Sequence, residues 1–506
     1  MALLAAQPLH RLPTGVRGLD QITRGGLFRG ELYLIVGPAG AGKTTLANQL
    51  CFHHVAMGAR AVYLTLLTEN HSRLLGHLAT FGFFDAAAVG DTLHYFSASS
   101  ALDGDGLDGL FALIRQVVYE HRATVLVVDA FENVRDYHPD TLDVKRLFQQ
   151  LQAFSEVSSC TVLLLSRPQP PDAAEYTLVD GIVSLQSRHQ GLRSIRTLEV
   201  EKLRGSGVLE GHHVFTITAD GLDVYPRIET LLPTPSTLPP PTGKRLSSGV
   251  PQVDTMLGGG IPEGSSTLLL GTPGSGKTAL GLHFLAAGVE LGQAGVYLGV
   301  NELPARLLAK AQQLGRDVAP AAAAGQLAVL WHSPVELVLD AYAARVLAAV
   351  QDLDARRLVL DGLIGLASEA DVERLSDVVA ALFGELQARG VTTYIALELG
   401  QLFGPQIELP LPRVAARLDN LILLRAVELR AQLHRLLSIQ KMRESAFDPT
   451  IREFRITSRG IDVASTFESA EAILSGLARP VVVSEPITGV QPSRKGAGTH
   501  DHDPDR

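Results

Sequence analysis

Short, unbroken runs of apolar residues recur along this chain. In the first half they are ELYLIVG, AVYLTLL, ATVLVVDAF and CTVLLLS. In the second half they are STLLLG, AGVYLGV, RRLVLDGL and VTTYIALE. A strand with one face in water alternates apolar and polar residues, whereas a strand covered on both faces stays apolar throughout. Amphipathic stretches separate the runs. The pattern predicts parallel strands joined by crossover helices, so each half reads as a doubly wound α/β domain.

The two halves repeat one another. GVRGLDQITRGGLFRGELYLIVGPAGAGKTT in the first matches GVPQVDTMLGGGIPEGSSTLLLGTPGSGKTA in the second. Asp20 pairs with Asp254, Gly30 with Gly264 and Gly37 with Gly271, all at one interval, so no insertion falls inside the block. Such a period is far longer than that of a solenoid and indicates a duplicated domain. Between the copies lies TLLPTPSTLPPPTG, which cannot enter a sheet interior and tends to extend as a spacer. The expected organisation is a first domain over 1–229, a proline-rich linker over 230–243 and a second domain over 244–470. A polar tail over 471–506 is expected to be disordered.

Composition narrows the picture without naming a function. The 506 residues carry 44 Lys and Arg against 53 Asp and Glu, a net charge of −9. An acidic balance speaks against a generic nucleic-acid coat. Two cysteines, Cys51 and Cys160, are too few for a disulfide framework or a Cys-rich zinc site, so a reducing cytoplasm is the expected setting. No run is long and apolar enough to span a bilayer, and the short apolar start lacks a basic leader.

The chemistry is concentrated in G-x-x-x-x-G-K-[ST], present twice. GPAGAGKT runs from Gly37 to Thr44, with Thr45 next, and GTPGSGKT runs from Gly271 to Thr278. A triphosphate needs several backbone N–H donors converging on it, which requires a chain with few bulky Cβ atoms. Gly37, Gly40, Gly42, Gly271, Gly274 and Gly276 provide that, and the helix that follows adds its positive end. Lys43 and Lys277 supply charge for the outer phosphates, and Thr44 and Thr278 a hydroxyl for Mg²⁺. A carboxylate at a strand end should complete each magnesium site. ATVLVVDAF offers Asp129 and RRLVLDGL offers Asp361.

Late in each half a further pair of cations matches: Lys202 and Arg204 in EKLR, Lys441 and Arg443 in QKMR. On a strand, alternation puts both members of a pair on one face. Two cations on one face can reach a phosphate together, as an arginine finger does.

These motifs, in this order, resemble the KaiC family of RecA-like ATPases with two fused domains. KMRESAFDPTIREFRITSRGIDV, near the end, is similar to the family's stretch there. The resemblance implies two tandem RecA-like P-loop NTPase domains, each a mostly parallel sheet flanked by helices. It also implies a homo-hexamer with ATP and Mg²⁺ bound between subunits, and Lys202, Arg204, Lys441 and Arg443 acting across those interfaces.

The chain departs from the family in two ways. The family's adjacent glutamates, one of which is the catalytic base, are replaced by Leu67 and Thr68 in the first half, with Glu69 one place later. In the second half they are Asn301 and Glu302. Loss of a general base costs about 10²–10⁴ in rate. Hydrolysis is therefore expected to be slow and to rest mainly on Glu302. The Ser-Thr pair of clock-type members is replaced by Ala415 and Ala416, which have no hydroxyl to phosphorylate. Asn301 likewise weakens the expectation of protein kinase activity.

The reading that follows is a non-clock KaiC-like ATPase that reports its nucleotide state to a protein partner. Two alternatives share the core: a DNA-dependent ATPase of recombinase or helicase type, and an ATP-binding scaffold without turnover. The first needs basic loops interleaved with aromatics. Between Arg374 and Leu424 the basic residues are Arg389, Arg413 and Arg417, and the aromatics are Phe383, Tyr394 and Phe403, a thin set for DNA.

Overall fold

The computed structural model describes residues 10–66, 71–134, 141–170, 173–190, 193–231, 242–333, 338–362, 372–399, 416, 418–429, 432–443 and 445–464. In the first half a small ladder of β1 (Arg11–Leu12) and β2 (Leu27–Phe28) precedes the main sheet. That sheet comprises β3 (Leu32–Val36), β4 (Ala61–Thr65), β5 (Leu93–Ser97), β6 (Val125–Asp129), β7 (Thr161–Ser166), β8 (Gly181–Gln190), β9 (Arg193–Leu203), β10 (His213–Thr218) and β11 (Gly221–Tyr225). Its order is β11-β10-β9-β8-β3-β7-β6-β4-β5. From β8 to β5 the neighbours are parallel, and from β8 to β11 antiparallel.

The second half rebuilds this plan. The ladder is β12 (Arg245–Leu246) with β13 (Ile261–Pro262). The sheet comprises β14 (Ser266–Gly271), β15 (Gly295–Gly299), β16 (Leu327–Trp331), β17 (Arg357–Asp361), β18 (Thr392–Glu398), β19 (Asn420–Leu429), β20 (Gln432–Met442), β21 (Arg452–Thr457) and β22 (Gly460–Val463). Its order, β16-β15-β17-β18-β14-β19-β20-β21-β22, is the first sheet's order strand for strand. All eight apolar runs are strands of the parallel region, and the fold is two tandem RecA-like α/β domains.

Each sheet is covered on both faces, which is why its central strands carry no polar alternation. On β3, Tyr33 and Ile35 join the core under the helix Lys43–Ala56. Leu32, Leu34 and Val36 point the other way, into the core beneath Ser99–His121 and Thr141–Ser158. In the second half Leu269 faces the helix Lys277–Glu290. Leu268 and Leu270 face Leu339–Leu353 and Val372–Ala388.

The halves are also stitched together. The short helix Ile228–Leu231, at the end of the first half, contributes Ile228 to the core of the second. Its backbone N–H donates to the fully buried Asp340 carboxylate at 3.4 Å. Arg374 donates to both oxygens of Asp340, at 2.8 and 2.6 Å, and lies 3.6 Å from Glu229. Most of the proline-rich linker, residues 232–241, and all of the tail over 471–506 lie outside the described residues. Among those described, no helix is long and apolar enough to cross a membrane.

Candidate active sites

Each P-loop links a strand's C-terminal end to a helix N-terminus. β3 leads through Gly37 to the helix Lys43–Ala56, and β14 through Gly271 to Lys277–Glu290. The loop is tight enough to dictate glycine. Gly42 and Gly276 have φ of 104° and 107°, in the left-handed region that only glycine adopts at little cost. A Cβ at Gly37 or Gly271 would run into the carbonyl oxygen of Leu185 or Leu424 on the neighbouring strand. Gly40 and Gly274, also at positive φ, border open space where an outer group can approach the backbone.

Both lysines fold back onto carbonyls of their own loop. Lys43 Nζ donates to the carbonyls of Gly37 (2.7 Å) and Pro38 (3.2 Å). Lys277 Nζ donates to those of Gly271 (2.8 Å) and Thr272 (2.9 Å). Burial lowers the pKa of both, opposed by the carboxylates of Glu132 and Asp129 around Lys43 and of Glu398 and Asp361 around Lys277. In the second cradle the hydroxyls Thr272 Oγ1 and Ser275 Oγ are buried without a hydrogen-bond partner. Unpaired buried donors are costly, and an anion seated in the loop would satisfy them. The cradle therefore fits a phosphate group.

The predicted magnesium residues meet. Thr44 Oγ1 donates to Asp129 Oδ2 at 2.9 Å, and Thr278 Oγ1 to Asp361 Oδ2 at 2.7 Å. Both threonines open the helix, and both aspartates end a parallel strand two positions across the sheet. A tyrosine joins each pair: Tyr63 OH donates to Asp129 Oδ2 at 2.6 Å and Tyr297 OH to Asp361 Oδ2 at 2.7 Å. Burial, then the aspartate's charge, pushes both phenols far above their ordinary range, so they remain donors. Reading the motifs alone misses these tyrosines. The signal was available, because Tyr63 and Tyr297 stand at the same interval as Gly37 and Gly271.

In the second half these groups line a cavity of about 500 Å³ with Asn301, Glu302, Lys310 and Glu398. Glu302 is therefore in the site, and its carboxylate is ion-paired with Lys310 on the helix Pro304–Gln313. Leu67, Thr68 and Glu69 lie outside the described residues, as does Ala415. Thr45 lies in the first turn of its helix.

The late cations gather elsewhere. β9 ends at Leu203 and β20 at Met442, so Arg204 and Arg443 fall just beyond the strands. A register shift leaves Glu201 and Gln440 unpaired immediately before Lys202 and Lys441. Such a bulge re-aims the side chains that follow. Lys202 Nζ donates to the Tyr176 and Thr177 carbonyls, and Arg204 to Asp180 at 3.0 Å and the Thr177 carbonyl. Lys441 donates to the Ala416 and Leu418 carbonyls, and Arg443 to that of Ala416. Each pair thus converges on one spot, although a bulge and a strand end bring it there in place of regular alternation.

That spot is on the far face from the pair's own P-loop helix. Lys202 lies opposite Ile182, which belongs to the core with Leu32 and Leu34 and not to that under Lys43–Ala56. Lys441 lies opposite Leu421, on the corresponding face.

Comparison with known proteins points to a family. The family model described as the KaiC ATPase matches residues 12–229 and again 246–468. The circadian clock oscillator protein KaiC of Picosynechococcus sp. is 26% identical over 495 residues, covering 95% of this chain and 95% of that protein. KaiC of Synechococcus elongatus is 27% identical over 493 residues, covering 95% and 94%.

Proposed function

This chain belongs to the KaiC family of ATPases, and from that premise we propose a homo-hexamer that binds Mg-ATP at both P-loops and hydrolyses it slowly. Turnover rests mainly on the second half, and the nucleotide state is read by a protein partner. The observation that carries the ATP reading is the doubled constellation of P-loop lysine, helix threonine and strand-end aspartate. Magnesium, when bound at Thr44 and Asp129 or at Thr278 and Asp361, would neutralise charge on the outer phosphate oxygens.

The protein's own groups do the rest. Lys43 and Lys277 turn from loop carbonyls to the phosphates, and the helix N-terminus adds backbone donors. Glu302 takes the proton of the attacking water after release from Lys310, and that exchange contributes to slow turnover. Asn301 lines the same space and can orient water but not accept its proton. Lys202 and Arg204, and Lys441 and Arg443, face away from their own P-loop helix. This supports a role on a neighbouring subunit's phosphates, and hence a ring. Ala416, whose carbonyl holds Lys441 and Arg443, has no hydroxyl to accept a phosphoryl group.

A DNA-dependent motor draws less support. Phe383 and Tyr394 are core residues and cannot stack bases, and Arg389 is paired with Glu385 at 2.7 Å. The test is light scattering after size exclusion together with phosphate release, with and without Mg-ATP. ATP-dependent hexamers with slow turnover are expected, Lys277→Ala removing most of the phosphate release and Lys43→Ala little of it. Turnover that survives Lys277→Ala but not Lys43→Ala would reverse the assignment. Hexamers without turnover would leave a scaffold, and tight single-strand DNA binding at physiological salt would favour the motor.

A further inference from the structure

Among the positions where the duplicated sites differ is the end of the strand beside each P-loop strand. β7 and β18 are equivalent strands, each parallel to its P-loop strand. Val36 lies opposite Ser166, and Gly271 lies opposite Glu398. The residue after Ser166 is Arg167, so Arg167 in the first half occupies the place of Glu398 in the second. Glu398 lines the cavity with Lys277, Thr278 and Asp361. The end of this strand therefore looks onto the space where the lysine and the magnesium residues converge.

The first site surrounds its cation with further groups. Arg167 Nε is 3.4 Å from Glu132 Oε1. Glu132 stands in the turn after β6, and that turn is tied to β7 by Phe131 N–H donating to the Leu165 carbonyl at 2.8 Å. The other oxygen, Glu132 Oε2, is buried without a hydrogen-bond partner. Among the charges around Lys43, Glu132 is the leading one; around Lys277 it is Glu398.

With a nucleotide's inner phosphates seated in the loop, the strand ends would lie nearest the third phosphate, the one that distinguishes ATP from ADP. We propose that the two sites are tuned to opposite nucleotides. In the first, Arg167 binds the γ-phosphate, which displaces Glu132 as its counter-ion, and the site prefers ATP. In the second, the Glu398 carboxylate opposes the γ-phosphate and shifts the preference towards ADP. This inference rests on the reading that both P-loops bind adenine nucleotides.

The test uses the full chain, with Lys277→Ala to isolate the first site and Lys43→Ala to isolate the second. Each is titrated with a fluorescent non-hydrolysable ATP analogue and with fluorescent ADP, in Mg²⁺. The ratio of the ADP to the ATP-analogue dissociation constant should be larger at the first site. A charge-assisted contact to phosphate predicts that Arg167→Ala lowers that ratio about tenfold. Glu132→Gln should raise it by freeing the guanidinium, and Glu398→Gln should raise the ratio at the second site. The Arg167 side chain is 67% exposed, so its truncation leaves the core intact. Equal ratios at the two sites, or ratios unmoved by Arg167→Ala and Glu398→Gln, would overturn the inference alone. Failure of the unaltered chain to bind either nucleotide would overturn the P-loop reading and this inference with it.

Discussion

Single residues in this protein are legible where chemistry forces a spacing. A loop that is to cradle a phosphate cannot permute Gly37, Lys43 and Thr44, so the motif announces itself, and the expectation of a magnesium carboxylate leads to Asp129. Tyr63 and Tyr297 are the opposite case. A tyrosine inside an apolar run looks like core, and it is core; only the three-dimensional register shows its hydroxyl on the aspartate. Arg167 and Glu398 are solitary charges at strand ends, and their meaning comes from strands that are not consecutive in the chain. Because outer-sphere donors orient metal ligands, Tyr297→Phe should raise the Mg²⁺ concentration that half-saturates hydrolysis about tenfold. Nucleotide binding without Mg²⁺ should be unchanged. A magnesium titration of phosphate release checks the first, and nucleotide fluorescence in a chelator checks the second.

Among the elements, strands sealed on both faces are read from sequence with ease. Edge strands β5 and β16 are not, because their residues are only partly covered, and LHYFS in β5 also mixes polar with apolar side chains. The bulges before Lys202 and Lys441 also escape sequence reading, since nothing in EKLR or QKMR marks an unpaired residue. The P-loop helices carry a second consequence of burial. His54 and His283 are each buried within one of them, and burial pushes their pKa down from 6.5 to about 4. The unfolded chain takes up these protons as pH falls through 6.5, whereas the folded chain resists until about 4. The histidines' contribution to stability is therefore complete above that window and is lost progressively within it on acidification. Chemical denaturation at about pH 7.5 and about pH 5.5 should show a lower midpoint at the acid value. The double variant His54→Gln, His283→Gln should show a smaller drop.

On the scale of the whole molecule, the duplication was visible in the sequence, and both sheets follow it strand for strand. The contact between the copies was not. The four residues of Ile228–Leu231 look like the last turn before a proline-rich spacer, yet Ile228 fills the second core and Glu229 joins Arg374 and Asp340. Two copies of a domain on a loose tether would melt as two calorimetric units. Here unfolding the first copy withdraws an isoleucine and a hydrogen-bond donor from the interior of the second, so the two transitions are coupled. Scanning calorimetry should give a single endotherm for the intact chain, and Ile228→Asp should divide it into two. Two separate endotherms in the unaltered chain would show that the stitch is too weak to bind the copies. If it holds, a destabilising change in either copy is felt as a lower melting temperature in both.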